Sequence, residues 1–299
     1  MTKSIHFFLY LAIVFSFFSC GEFKEDENAA SFEEITNVLL DSNESINLEM
    51  GNTIFSMPSP IQLVLELKNN NDGFHPELLH EVSQNNAYAD DFKRALNLGV
   101  YGTDLAYCSV FEMTSEAVSY FSAMKHMSED LHINYAFDNN LVQRFTENIG
   151  NNDSLLILSS VAYQTIDIYL KENDNYGLSS LVLAGGWIEN MYLLSHKYNS
   201  NKSEHAINEI AEQQYVLQHF IALLKNTGNS DDYWELIQQL EDIDYLYLEI
   251  NNEYQYVAPS TNSSIKQTTI KSKTSSSADS SLIDQIVEQY LELRNTITE

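Results

Sequence analysis

The longest apolar pattern in the chain runs from Asp153 to Tyr198. In its first half, Leu155, Leu156, Ile157, Leu158, Val161, Ala162, Ile166, Ile168 and Leu170 leave little room for a polar face. A helix that is apolar nearly all round belongs inside a larger helical body. Ser159, Ser160, Gln164, Thr165 and Asp167 interrupt it too often for a bilayer span. The polar stretch from Glu172 to Tyr176 reverses the chain into a second apolar helix, with Gly185-Gly186-Trp187 in its middle. This hairpin is read as the core.

Amphipathic patterns on either side predict helices that enclose it. Tyr88 to Leu98 is one. The glycines of Gly99-Val100-Tyr101-Gly102 then suggest a turn or a close backbone approach, with Thr103 or Asp104 capping the next helix. From Asp104 to Met127, the residues Ala106, Val110, Met113, Ala117, Tyr120, Met124 and Met127 step by four and three. That spacing is a packing stripe of the coiled-coil kind. Asp138 caps a helix that runs through Phe145. Ser203 to Leu224 and Asp231 to Ile250 each carry one apolar face. Nearer the start, Ser31 to Met50 reads as a first helix, with Ser31 and Glu34 as a capping box. Pro58-Ser59-Pro60 leads into another, with Ile61, Val64, Leu65 and Leu67 apolar.

From Pro259 to Ser281 the composition turns to Ser and Thr with Lys266, Lys271 and Lys273, the signature of a flexible linker. Leu282 to Thr298 is a terminal amphipathic helix. An exposed apolar stripe is a liability, so docking on the bundle is expected over a free tail that binds a partner. The fold class is therefore all-α, a multi-helix bundle of roughly eight to ten helices. The organisation reads as 1–19 signal peptide, 20–50 tether and first helix, 51–257 globular domain, 258–281 linker and 282–299 C-terminal helix.

Residues 1–20 read MTKSIHFFLYLAIVFSFFSC. One Lys precedes an apolar run too short for a comfortable membrane span, which is the layout of a secretory signal. Ending in Phe17-Phe18-Ser19-Cys20, it resembles a bacterial lipoprotein signal peptide, although Phe17 and Phe18 depart from the usual Leu and small residue. The resemblance implies cleavage before Cys20 and acylation of that residue. Multiple acyl chains suffice for stable anchoring. Lys24 to Glu27 resembles an export signal of Bacteroidetes lipoproteins. VYGTDLAY (100–107), FDNNLVQRF (137–145), NDSLLILSS (152–160) and LAGGWIENMYL (183–193) together resemble a group of Bacteroidetes lipoproteins with no assigned activity. That likeness implies origin and fold and transfers no catalytic residue. It places the protein at the outer membrane, on the periplasmic side or the cell surface.

Charge and chemistry narrow the function further. The chain has 43 acidic and 15 basic residues, a formal charge of −28. Nucleic acid is excluded as a partner, because phosphate binding needs a Lys/Arg footprint. With Cys20 consumed by lipidation, Cys108 has no intrachain partner and reads as a buried inert thiol. No G-x-S-x-G, H-E-x-x-H, C-x-x-C, Walker or Rossmann signature occurs. A calcium loop around Asn69 to Gly73 fails, since it would place Lys68 first and Leu79 twelfth. No metal, cofactor or catalytic residue is therefore assigned.

Gly185-Gly186 is the sharpest local oddity, since each glycine costs about 1 kcal/mol in a helix relative to Ala. It marks either a second helix packed close or a ligand against the backbone. In the second case Tyr101 and Trp187 are its aromatic walls, and Asp104 and Glu189 its polar groups. The leading expectation is a lipid-anchored envelope lipoprotein whose helical body binds a protein or small-molecule partner without catalysis. The alternatives are an envelope hydrolase using carboxylates in an interhelical pocket, and a structural surface protein.

Overall fold

A computed structural model describes residues 45–50, 53–58, 60–69, 73–228, 230–262, 267–269 and 273–299. Cys20, the signal layout, Lys24 to Glu27, the capping box at Ser31, and the linker lysines Lys266 and Lys271 lie outside them. Among the described residues are ten α-helices, and they form the all-α bundle. They are α1 (Pro60–Asn69), α2 (Asp91–Val110), α3 (Thr114–Asp130), α4 (Asn139–Glu147) and α5 (Asn152–Glu172). Then come α6 (Tyr176–Asn201), α7 (Glu204–Glu212), α8 (Gln214–Thr227), α9 (Asp231–Tyr247) and α10 (Ser280–Thr298). Short 3-10 turns occupy Pro76–Leu78, Val82–Asn86 and Asn134–Phe137.

The hairpin α5–α6 is largely buried, although Ile168 on α5 is 52% exposed, and α6 is the central helix. Its largest interface is with α2. The glycines make that interface possible. A Cβ on Gly185 would lie 1.9 Å from the Leu96 carbonyl oxygen, and one on Gly99 would lie 2.0 Å from that of Val182. The two backbones therefore touch where side chains would otherwise hold helices about 8–10 Å apart. Thr103 Oγ1 donates to the Gly186 carbonyl at 2.9 Å and ties the same crossing.

This crossing corrects the reading of residues 88–127. The chain does not turn at Gly99 to Gly102, and neither Thr103 nor Asp104 caps a helix. Instead α2 runs straight through, starting at Asp90, whose side chain accepts the Lys93 N–H at 2.8 Å. The break falls later, between α2 and α3. Glu112 adopts φ +65°, and the Met113 N–H returns to Cys108 O at 2.8 Å. This is a Schellman stop built without glycine. The apolar stripe continues in phase across the stop, so periodicity alone does not reveal it. The helix expected over Ser203 to Leu224 is likewise two, α7 and α8, divided by a tight turn at Gln213.

Two further segments differ from expectation. Ser45–Met50 is not helical but pairs antiparallel with Thr53–Pro58, as strands β1 and β2. Ile46, Leu48 and Met50 alternate with period two, the spacing of a strand. The Ser/Thr-rich stretch is not featureless. Asn251–Gln255 just before it, as β3, pairs with β6 (Lys273–Ser277), and within it β4 (Ser260–Asn262) pairs with β5 (Gln267–Thr269). Thr and paired extended strands suit one another.

Helix α10 docks on the bundle. Ile283, Ile286, Val287, Tyr290 and Leu293 are buried. Tyr198 on α6 donates to Asp284 at 2.9 Å, and Asn97 on α2 donates to the Ile297 carbonyl at 2.7 Å. Trp187 meets Tyr290 edge-on at 5.6 Å.

Candidate functional site

Two places have the chemistry of a site. The first is a polar cluster inside the bundle. Asp104 on α2 and Glu189 on α6 are both 0% exposed, and Arg294 on α10 is 8% exposed. Arg294 Nε donates to Glu189 Oε2 at 2.9 Å and its Nη2 to Oε1 at 3.2 Å, a bidentate fork. The guanidinium also lies 4.4 Å from the centre of the Tyr192 ring. Asp104 Oδ2 accepts the His80 backbone N–H at 3.0 Å, while its Oδ1 meets no donor. The Asp104 side chain is within hydrogen-bonding reach of Glu189.

Burial pushes the Asp104 carboxyl well above the usual range, and the Glu189 charge adds to this. Arg294 and the His80 N–H oppose it. Glu189 is also raised by burial, with the Arg294 charge and fork opposing. The His80 ring hydrogen-bonds Tyr88 and stacks on Tyr101 at 5.3 Å. Burial, then Arg294, lowers His80 to about 4, so the ring is neutral at physiological pH. Tyr101 donates to the Glu81 carbonyl at 2.9 Å, and Tyr120 to the His80 carbonyl at 2.7 Å.

The cluster therefore unites three of the six sequence candidates, namely Tyr101, Asp104 and Glu189. The other three go elsewhere. Gly185 faces the α2 backbone, and the Gly186 carbonyl accepts from Thr103 and Asn190. Trp187 is 3% exposed, donates to Gln213 at 3.2 Å and stacks on Phe220 at 5.1 Å. The close-packing explanation of Gly185 holds, and the aromatic wall beside it is core. Sequence reading does not single out His80, Tyr88 or Arg294 as members. A signal for Arg294 exists, because it sits on the apolar stripe of α10, four residues after Tyr290 and three before Ile297. A lone cation on an apolar stripe calls for a buried carboxylate.

The second place is an open cavity of about 220 Å³ between α1, α2, α6 and the Pro76–Leu78 turn. Leu67, Leu78, Tyr107, Phe111 and Leu193 give it an apolar floor, and His75, Glu77, His196, Lys197 and Ser200 line it with polar groups. Tyr107 accepts the His75 backbone N–H at 3.2 Å, and Phe74 stacks on Tyr107 at 5.5 Å. His75 Nδ1 and Glu77 Oε1 are 3.0 Å apart. A backbone hydrogen bond, then His75, holds the Glu77 carboxyl below its usual value. Burial, then Arg294, lowers His196, whose ring meets Tyr192 edge-on at 4.6 Å. Lys197 is paired with Glu209 at 2.7 Å. None of the sequence candidates lines this cavity.

Among the described residues, no group of three or more His, Cys, Asp or Glu side chains could hold a metal ion. Comparison of the chain with protein-family profiles, curated proteins and solved structures finds no match.

Proposed function

We propose that the protein is a lipid-anchored cell-envelope lipoprotein whose helical body binds a small ligand in the cavity between α1, α2 and α6. The observation that carries the binding reading is the cavity itself. Its apolar floor and polar lining suit a compact amphipathic molecule. At about 220 Å³ it lies below the usual range of roughly 300–1,000 Å³ for drug-sized ligands, so a single-ring compound is the expected scale. The cluster around Asp104 is buried, with Asp104 and Glu189 both 0% exposed.

Anchoring rests on the signal layout that ends at Cys20. No described helix is long and apolar enough to cross a membrane. Acyl chains on Cys20 would supply the attachment, at the outer membrane and on the periplasmic side or the cell surface. A hydrolytic second reading is favoured by one observation, the contact between His75 and Glu77 at the cavity. Glu77→Gln would then abolish turnover and leave binding intact.

Native mass spectrometry of the protein extracted from its own envelope tests the binding reading. A discrete small-molecule adduct is expected, and Ser200→Trp, which fills the cavity from its exposed side, should remove it. An adduct that persists in the variant would place binding elsewhere. Cys20→Ala should move the protein out of the membrane fraction; unchanged fractionation would refute the anchor.

A further inference from the structure

The buried cluster does not balance its charges. Two carboxylates with no solvent exposure face one guanidinium. Among the described residues, the groups packed around them supply no second cation. His80 and Tyr88 come from the segment before α2, Tyr101 and Cys108 from α2, Tyr120 from α3 and Tyr192 from α6. Burial keeps the His80 ring neutral, and it raises the tyrosines and the thiol so that they stay protonated. A buried excess of one negative charge is costly in a low-dielectric interior.

The geometry offers a way out. Asp104 Oδ2 is engaged by the His80 N–H, and Oδ1 is wholly buried with no donor. Glu189 is within hydrogen-bonding reach of the same side chain and is itself held by the Arg294 fork. Two carboxylates at that range repel unless a proton lies between them.

We propose that Asp104 and Glu189 form a buried one-proton site, in which the Asp104 acid proton is donated to a Glu189 oxygen while Arg294 holds Glu189 from α10. The cluster is then neutral overall, and Oδ1 gains a hydrogen-bond role. Because the three groups come from α2, α6 and α10, proton occupancy also controls how firmly α10 is seated. This site is separate from the ligand cavity and does not depend on it.

The sign follows from the raised Asp104 carboxyl. The folded protein holds this proton more tightly than the unfolded chain does. Its contribution is complete below the ordinary aspartate value and is lost as pH rises through the folded-state value. Asp104→Asn copies the protonated acid, since its carbonyl can accept the His80 N–H and its amide can donate to Glu189. The test compares the folding equilibrium constants of variant and wild type across pH. Their ratio should climb in favour of the variant, by up to about tenfold per pH unit above the ordinary aspartate range. A ratio flat from acid to neutral pH would overturn the proposal. A second measurement stands if the variant does not fold. Infrared spectra of the native protein in heavy water at neutral pH should contain the carbonyl stretch of a protonated carboxylic acid, and its absence would also overturn the proposal.

Discussion

Gly185 on α6 and Leu96 on α2 meet backbone to backbone, so closely that a Cβ on Gly185 would lie 1.9 Å from the Leu96 carbonyl oxygen. No rotamer change can relieve such a clash, because the obstructing atom belongs to the main chain. Gly185→Ala should gain about 1 kcal/mol in helix propensity and lose more by prising α2 from α6. The expected net loss is at least about 2 kcal/mol in denaturant unfolding. Gly73→Ala is the control, since nothing lies within 4 Å of a Cβ there, and it should be close to neutral.

Arg294 is the cation that the buried carboxylates require. Arg294→Leu keeps much of the apolar bulk of the stem but leaves Glu189 with no counter-charge. Breaking a buried pair in this way costs about 3–5 kcal/mol. Arg294→Lys should recover only part of that loss, because an ammonium cannot supply the planar two-pronged fork seen on Glu189. Equal stability of the Leu variant and wild type would show that the ion pair contributes nothing.

His80 gives the fold an acid limit. Its ring is lowered from an ordinary 6.5 to about 4. The stability tied to its neutral form is complete above about pH 6.5 and is lost as pH falls towards 4. The shift corresponds to about 3 kcal/mol. A proton NMR titration should find the His80 ring neutral at about pH 5. A midpoint near its ordinary value would contradict the buried contacts with Tyr88 and Tyr101.

Deleting residues 280–299 should do more than lower the melting temperature. The helix buries Leu282, Ile283, Ile286, Val287, Tyr290, Leu293 and Ile297. At about 1.5–3 kcal/mol for each large apolar side chain, their loss rivals the whole stability of an ordinary domain, about 5–15 kcal/mol. The truncated chain should show no cooperative thermal transition. A sharp transition near the wild-type temperature would mean that α10 is dispensable.

Much of the architecture is legible because burial writes itself as periodicity. The α5–α6 hairpin, α9 and α10 follow from their apolar spacing, and Asp138 caps α4 by accepting the Leu141 N–H at 2.7 Å. The missed break between α2 and α3 has a plain cause. Glycine is the usual mark of a helix stop, yet here Glu112, His132 and Asp174 take the left-handed conformation instead. Gly99 and Gly102 suggest a turn, but both lie within α2. The buried cluster is half visible. Asp104 and Glu189 stand out as acids in apolar helices, whereas Arg294 lies 105 residues beyond Glu189 and only the folded chain pairs them. The cavity is not visible at all, since its lining comes from separate segments with no shared motif.

The most direct test of the account asks where recognition occurs. Saturation-transfer NMR with a set of single-ring aromatic acids and amines should detect binding to the wild-type protein. The signal should persist in Asp104→Asn, which alters only the sealed cluster, and vanish in Ser200→Trp, which fills the cavity. Binding lost in Asp104→Asn and retained in Ser200→Trp would contradict the account and move the site to the interior of the bundle.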